Sequence, residues 1–184
     1  MSDRLRASAV VDAVKIREVL GHFVSGLTVI TAALDGAPVG FTCQSFSSLS
    51  LDPPMVSFAP SRSSSSWPKV RQASSFCINI LSEDQSEISN AFSRSGTDKF
   101  AGVSWTPSAY GAPIIAGAAA FMDAHVWAEY DGGDHTIVAA TVLDLGADSS
   151  RTPLMFHRGG YGLQAALQAV TKHRKNSSVP RGNL

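Results

Sequence analysis

Charge is scarce in this sequence: 16% of its 184 residues are Asp, Glu, Lys or Arg, against about 25% in an ordinary soluble domain. The 15 basic residues balance the 15 acidic ones. No net field therefore draws the chain to nucleic acid or to an anionic membrane, and neither is expected as a partner. Cysteine is nearly absent. Cys43 and Cys77 form no C-x-x-C, and the five histidines show no H-x-x-x-H or H-E-x-x-H spacing. Two buried thiols are expected, with no redox dithiol and no metal. Long apolar runs are missing too. The longest, Ile114 to Met122, falls well short of the roughly 20 residues that span a bilayer. The N-terminus meets Asp12 and Lys15 before a signal-peptide core can accumulate. A soluble, cytoplasmic protein is the expectation.

Several functional signatures are also lacking. There is no G-x-x-x-x-G-K-[ST] for phosphoryl transfer and no G-x-S-x-G nucleophile elbow. Gly160-Tyr161-Gly162-Leu163-Gln164-Ala165 does fit G-x-G-x-x-A, yet no acidic residue follows Asp148 to hold a ribose. We read it as a decoy, because a dinucleotide turn needs both that acid and a second parallel strand.

What is present is apolar and mostly β-forming. Hydrophobic residues make up 44% of the chain, enough for one sizeable core and, with so little charge, for apolar surface that a second copy covers. Asp12 caps a helix whose Ile16, Val19, Leu20 and Phe23 recur on one face until Gly26. Leu27 to Leu34 and Ala37 to Cys43 flank Asp35-Gly36, a hairpin turn signal. Ser45 to Leu51 alternates serine with apolar residues up to Asp52-Pro53-Pro54, and Met55 to Ala59 follows as a short strand. Ser61 to Ser66 opens a short helix, Phe76 to Leu81 is a buried strand, and Glu83 to Arg94 is helical. Lys99 to Pro113 is expected as an ordered loop. Ala118 to Tyr130 and His135 to Leu145 form a second hairpin. Leu154 to Phe156 is a last strand and Gly162 to Lys172 a last helix. This order lacks the alternation of βαβ units. It predicts a mainly antiparallel β protein with a few helices, its sheet closed into a barrel. Residues 1–173 would be one domain and 174–184 a mobile tail.

Three segments carry candidate chemistry. Val39-Gly40-Phe41-Thr42-Cys43-Gln44-Ser45 mixes small and polar groups, and Gly40 would let a flat heteroaromatic ring approach. The alternative is a strand whose Ser and Thr hydroxyls cap their own backbone. Pro60-Ser61-Arg62-Ser63-Ser64-Ser65-Ser66 converges hydroxyls, a guanidinium and a helix start, as phosphate sites do. The alternative there is a plain helix cap. Gly133-Asp134-His135, with His157-Arg158-Gly159-Gly160-Tyr161, could frame a second ligand, although a histidine after a Gly-Gly turn is more often an ordinary surface residue.

Taken in order, G-F-T-C-Q-S-F-S-S-L-S-L-D-P-P, P-S-R-S-S-S-S-W, F-C-I-N-I-L, D-K-F-A-G, G-D-H and H-R-G-G-Y resemble the flavin reductase family that supplies reduced flavin to two-component monooxygenases. The resemblance spans about Ile16 to Tyr161, and its C-Q-S-F form is most similar to reductases serving actinobacterial aromatic and steroid-ring hydroxylases. It implies a split β-barrel of Greek-key type, a homodimer, and hydride transfer from NADH to FMN or FAD for a separate oxygenase component. It also implies residue roles. Val39, Gly40, Phe41, Thr42, Gln44 and Ser45 would contact the isoalloxazine, and Ala59, Pro60 and Ser61 the ribityl chain. Ser65 and Ser66 would hold phosphate, with Ala91 and Phe92 at the border of the flavin. His135, Arg158 and Tyr161 would lie on the nicotinamide side, His135 as the catalytic residue. Arg62 stands early in the serine run, where relatives often carry lysine or place the basic residue deeper, which leaves open which side chain neutralises the phosphate. A non-catalytic flavin store and an oxidase like those acting on pyridoxamine phosphate are the rival implications.

Overall fold

The computed structural model describes residues 11–162. They divide into two compact units, one of Gly26–Leu154 and one drawn from the described residues of both chain ends, 11–25 with 155–162. The helix expected over Gly162 to Lys172 lies outside the described residues beyond Gly162, as does the expected tail.

In the unit drawn from the chain ends, Asp12 accepts the Val14 amide at 3.0 Å and caps α1 (Ala13–Leu20). The expected apolar stripe exists, but none of α1 is buried. Val19, Leu20 and Phe23 remain 61%, 65% and 75% exposed. Periodicity finds an amphipathic face and does not say what covers it. β1 (Ser25–Gly26) follows.

In Gly26–Leu154, β2 (Thr28–Leu34) and β3 (Ala37–Cys43) pair antiparallel around Asp35 and Gly36. Both turn residues have positive φ, as a two-residue hairpin of this twist requires. β4 (Ser47–Leu51) pairs with β5 (Pro54–Phe58), α2 (Trp67–Val70) follows the serine run, and β6 (Phe76–Ile80) is buried beside β2. After α3 (Ser86–Ser93), β7 (Trp105–Pro107) and β8 (Pro113–Ile115) form a small hairpin where a loop was expected. Its cause is tertiary. Buried Asn79 accepts the Ile115 amide at 2.8 Å and donates to Thr31 Oγ1 at 3.0 Å, fastening the hairpin to the sheet. β9 (Ala120–Gly132) and β10 (His135–Ala147) are the long second hairpin.

The main sheet runs β3-β2-β6-β9-β10-β5-β4. Strands β3 and β4, at its opposite edges, are consecutive in the chain, with Gln44, Ser45 and Phe46 between them. Four peptide links reach at most about 14 Å, whereas the edges of a flat seven-stranded sheet lie about 29 Å apart. The sheet must therefore curl until its edges approach. No ladder joins β3 to β4, so the barrel is split where the sequence reading expected closure. Inside, Phe58 packs edge-on against Trp67 and Phe76 at 5.4 and 5.6 Å between ring centres, with Ile30, Ile78 and Val138 around them.

β11 (Met155–His157) and β12 (Gly160–Tyr161) complete the unit of the chain ends in a sheet of order β1-β11-β12. Gly160 and Tyr161 thus sit in an antiparallel strand after the positive-φ turn Arg158-Gly159, which is not the geometry of a dinucleotide turn.

Both cysteines are buried, and burial raises each thiol pKa. Asp123, on β9, is fully buried, and neither carboxylate oxygen has a hydrogen-bond partner among the described residues. Burial chiefly raises its pKa; the Ser108 hydroxyl nearby, short of hydrogen-bond geometry, opposes this, and the Asp144 charge adds a smaller rise. A carboxyl raised in the folded state contributes stability at acid pH that is lost as pH climbs through its folded pKa. Asp123→Asn should accordingly raise the melting temperature at neutral pH and flatten its decline from acid to neutral; thermal melts of both proteins across that range check it.

Candidate active site

β3 delivers the first candidate segment. Alternation along the strand sends Phe41 into the core, 7% exposed, and leaves Val39 and Thr42 half-buried. The Thr42 hydroxyl donates to the Ser89 carbonyl of α3 at 2.6 Å, so its proton is spent within the protein and its oxygen remains only an acceptor. At Gly40 a ring does come close, that of Phe92. A Cβ there would stand 2.7 Å from the Ile30 carbonyl oxygen and 2.9 Å from Phe92 Cε1. The close approach read from the sequence is thus the packing of α3 on β3, and Phe92, fully buried, is core, where a flavin border was expected. Ala91 beside it is half-buried.

Gln44 and Ser45 emerge exposed where the barrel splits. The Ser45 hydroxyl accepts the Ala59 amide at 2.8 Å and donates to the Ala59 carbonyl at 3.0 Å, clasping the strand exit to the end of β5. This hydroxyl is spent on Ala59, so what Ser45 offers a ring edge is backbone.

Trp67, 6% exposed among the core aromatics, anchors the serine run. The convergence expected of that run is largely absorbed internally. Ser64 Oγ accepts the amides of Ser66 and Trp67 at 3.3 and 3.2 Å, Ser61 and Ser63 share a 2.8 Å hydroxyl contact, and Arg62 pairs with Asp131 at 2.6 Å. Ser65 stays exposed, while Ser66 is nearly buried and accepts from Lys99 Nζ at 3.0 Å. Lys99 also donates to the Gly40 carbonyl at 3.2 Å and the Phe92 carbonyl at 2.9 Å. One half-buried ammonium therefore ties β3, α3 and the serine run together, and burial lowers its pKa from the usual lysine value. No role was assigned to it from the sequence, where D-K-F-A-G was the only sign.

The β9–β10 hairpin brings the third segment to the same place. Ser61 bridges antiparallel to His135, the Arg62 amide donates to the Asp134 carbonyl at 2.9 Å, and the Thr136 amide donates to the Pro60 carbonyl at 3.0 Å. Asp134 Oδ1 lies 2.7 Å from His135 Nδ1, close enough to orient the ring. Beside this seam lies a cleft of about 200 Å³ lined by Ser61, Arg62, Ser64, Trp67, Pro68, Arg71, Glu129 and Thr136, with Arg71 and Glu129 paired at 2.7 Å. It is smaller than the roughly 300 to 1,000 Å³ of a whole-ligand pocket, and suits one end of a ligand.

Arg158 and Tyr161 belong to the other unit. There an Arg158 guanidinium nitrogen lies 2.9 Å from both ring nitrogens of His22, and Tyr161 packs edge-on to Phe156 at 5.5 Å. Among the described residues no group of three or more His, Cys, Asp or Glu could hold a metal, and no helix is long and apolar enough to cross a membrane.

A curled antiparallel sheet with polar strand exits, and a serine run meeting a histidine hairpin beside its split, defines a split-barrel protein. The chain belongs to the flavin reductase like domain family, which it matches over residues 20–163. It is 46% identical over 156 residues to the reductase subunit HsaB of a flavin-dependent monooxygenase from Mycobacterium tuberculosis, a match covering 84% of this chain and 83% of that one. Among solved structures it is similar to nitrilotriacetate monooxygenase component B from Mycobacterium thermoresistibile, with a TM-score of 0.79 and 45% identity over 84% of this chain and 88% of that one. It is also similar to the NADH:FAD oxidoreductase SgcE6 of Streptomyces globisporus, solved with NAD and FAD fragments, with a TM-score of 0.78 and 32% identity over 82% and 92%.

The Gly40 packing separates two expectations. If Phe92 is what Gly40 accommodates, Gly40→Ala should lower the melting temperature of flavin-free protein, overpacking costing about 1–3 kcal/mol. If a ligand were, the flavin-free melt would not move. Calorimetry without flavin decides.

Proposed function

We propose that this chain is an NADH-dependent flavin reductase that reduces FMN or FAD and releases the reduced flavin to a separate oxygenase component. The observation that carries the reading is the Ser61–His135 bridge, which brings the serine run and the G-D-H turn to one place. The donor set fits a flavin phosphate: Ser65 is exposed, and the Ser66 hydroxyl, an acceptor toward Lys99, keeps its own proton for an anion. The strand exit at Gln44 and Ser45 would meet the edge of the isoalloxazine through backbone groups, with Ala59 to Ser61 beside the ribityl chain.

A flavin held there would supply the redox chemistry of hydride transfer. The chain's own task is placement. Ser65 and Ser66 hold the phosphate end, the Ser45–Ala59 clasp fixes the strand exit, and Asp134 orients the His135 imidazole toward the nicotinamide.

Anaerobic mixing of the protein with NADH and excess free FMN or FAD should bleach the flavin over many turnovers. A flavin store would bleach none beyond its own equivalent. His135→Ala should raise the Michaelis constant for NADH or slow hydride transfer while flavin affinity stays within about twofold, since a contact made with one ligand leaves the other's binding unchanged without coupling. Loss of flavin binding with unchanged NADH kinetics would move His135 to the flavin.

The same reading makes the protein a homodimer. The exposed stripe of α1 and the exposed cross-strand pair Tyr130 and Ile137 supply apolar surface that a second copy would cover. Light scattering should report about twice the 19.4 kDa chain mass, and a fully active monomer at micromolar concentration would refute it.

A further inference from the structure

We propose that Lys99 is the positioning residue that turns Ser66 into a hydrogen-bond donor for a phosphorylated flavin and supplies the positive charge opposite its phosphate. The proposal rests on the reading of the serine run as the phosphate site.

Its first support is the count of donors. An ammonium has three N–H bonds, and Lys99 Nζ spends them on Phe92 O at 2.9 Å, Ser66 Oγ at 3.0 Å and Gly40 O at 3.2 Å. The Ser66 hydroxyl must then point its own hydrogen away from Lys99, and no acceptor among the described residues receives it. A hydroxyl oxygen that accepts from a cation is polarised into a stronger donor. Ser66 therefore presents to an incoming oxyanion a hydrogen that the protein does not use.

The second support is the distribution of charge. Arg62 is paired with Asp131 and Arg71 with Glu129, so the two guanidinium groups lining the cleft already have carboxylate partners. Lys99 has no carboxylate within ion-pair distance among the described residues. Half-buried, it carries an unneutralised charge in a sequence that uses charge sparingly, and burial alone drives its pKa shift. A cation kept under those conditions calls for an anion. Its backbone is well held: the neighbouring Phe100 ring packs edge-on to Phe92 at 4.8 Å and to Trp105 at 6.2 Å. The ligand class is a flavin bearing a phosphomonoester or pyrophosphate, and the charge that the sequence left unassigned comes from beyond α3, not from Arg62.

The test uses the full-length protein and fluorescence quenching to obtain dissociation constants for FMN and for phosphate-free riboflavin. Lys99→Met should weaken FMN by about tenfold or more, the scale of one charge-assisted hydrogen bond, and riboflavin by less than about twofold. Lys99→Arg, which keeps the charge, should recover part of the FMN loss, and added salt should weaken FMN binding less in Lys99→Met than in the unaltered protein. If Lys99→Met fails to fold, Ser66→Ala decides, because it removes the polarised hydroxyl and leaves both carbonyl contacts of Lys99; it should weaken FMN selectively. Equal losses for FMN and riboflavin would show that Lys99 only braces β3 against α3, and would overturn the proposal. An FMN preference that survives both variants overturns it while leaving the phosphate site standing elsewhere on the serine run. A protein that binds FMN no tighter than riboflavin overturns the phosphate site itself, and this proposal with it.

Discussion

Three residues, Gln44 to Phe46, must carry the chain from one edge of a seven-stranded sheet to the other, and much of the larger unit follows from that restriction. So short a link leaves the sheet no flat solution and makes the two edge strands converge. Because they converge without pairing, backbone groups at the end of β3 are left for other partners. Ser45 takes the Ala59 backbone with both roles of its hydroxyl. That bond continues the β4–β5 pairing one step beyond Ser47 and Ser57 and fixes the strand exit, while no ladder closes the split beside it. A closed barrel would have consumed those same groups.

Placement of the remaining candidates follows from two anchors that contribute no chemistry. Trp67 drives into the aromatic core beside Phe58 and Phe76, so the serine run that precedes it cannot drift. The long β9–β10 hairpin then meets that run through the Pro60–Thr136 and Arg62–Asp134 backbone bonds. His135 and Ser61, far apart in sequence, become neighbours through backbone pairing alone. The precision of the arrangement comes from sheet geometry, which is stiffer than contacts between serine side chains alone would be.

The architecture was legible in the sequence where local chemistry dictated it. Asp35-Gly36 reads as a turn, Asp12 as an N-cap and Phe76 to Leu81 as a buried strand; the turn and cap stand, and the strand runs over Phe76–Ile80, one residue shorter. Reading failed where one partner lay far away in the chain. Gly40 carries no mark that its neighbour is Phe92 rather than a ligand, because glycine records that something comes close and not what. The β7–β8 hairpin depends on Asn79, a single buried amide outside the segment. Arg62 looked like the phosphate's cation because its carboxylate, Asp131, is nearly seventy positions away, and only pairing of β9 with β10 beside the serine run exposes the match.

That the obvious cation is neutralised and an inconspicuous one is not has a physical logic for a protein that must let its flavin go. A surface arginine placed against the phosphate would grip it bidentately from solvent and bind strongly. Here the charge stands behind a hydroxyl, with its hydrogen bonds already committed to Gly40, Phe92 and Ser66. Its attraction reaches the ligand through one polarised O–H and a longer Coulombic path, weakened with distance. Such a site can prefer a phosphorylated flavin without holding it tightly, and the same ammonium draws β3 and α3 together whether or not a ligand is present. Selectivity and release then stem from one arrangement, in which the charge that chooses the ligand is kept one side chain away from it.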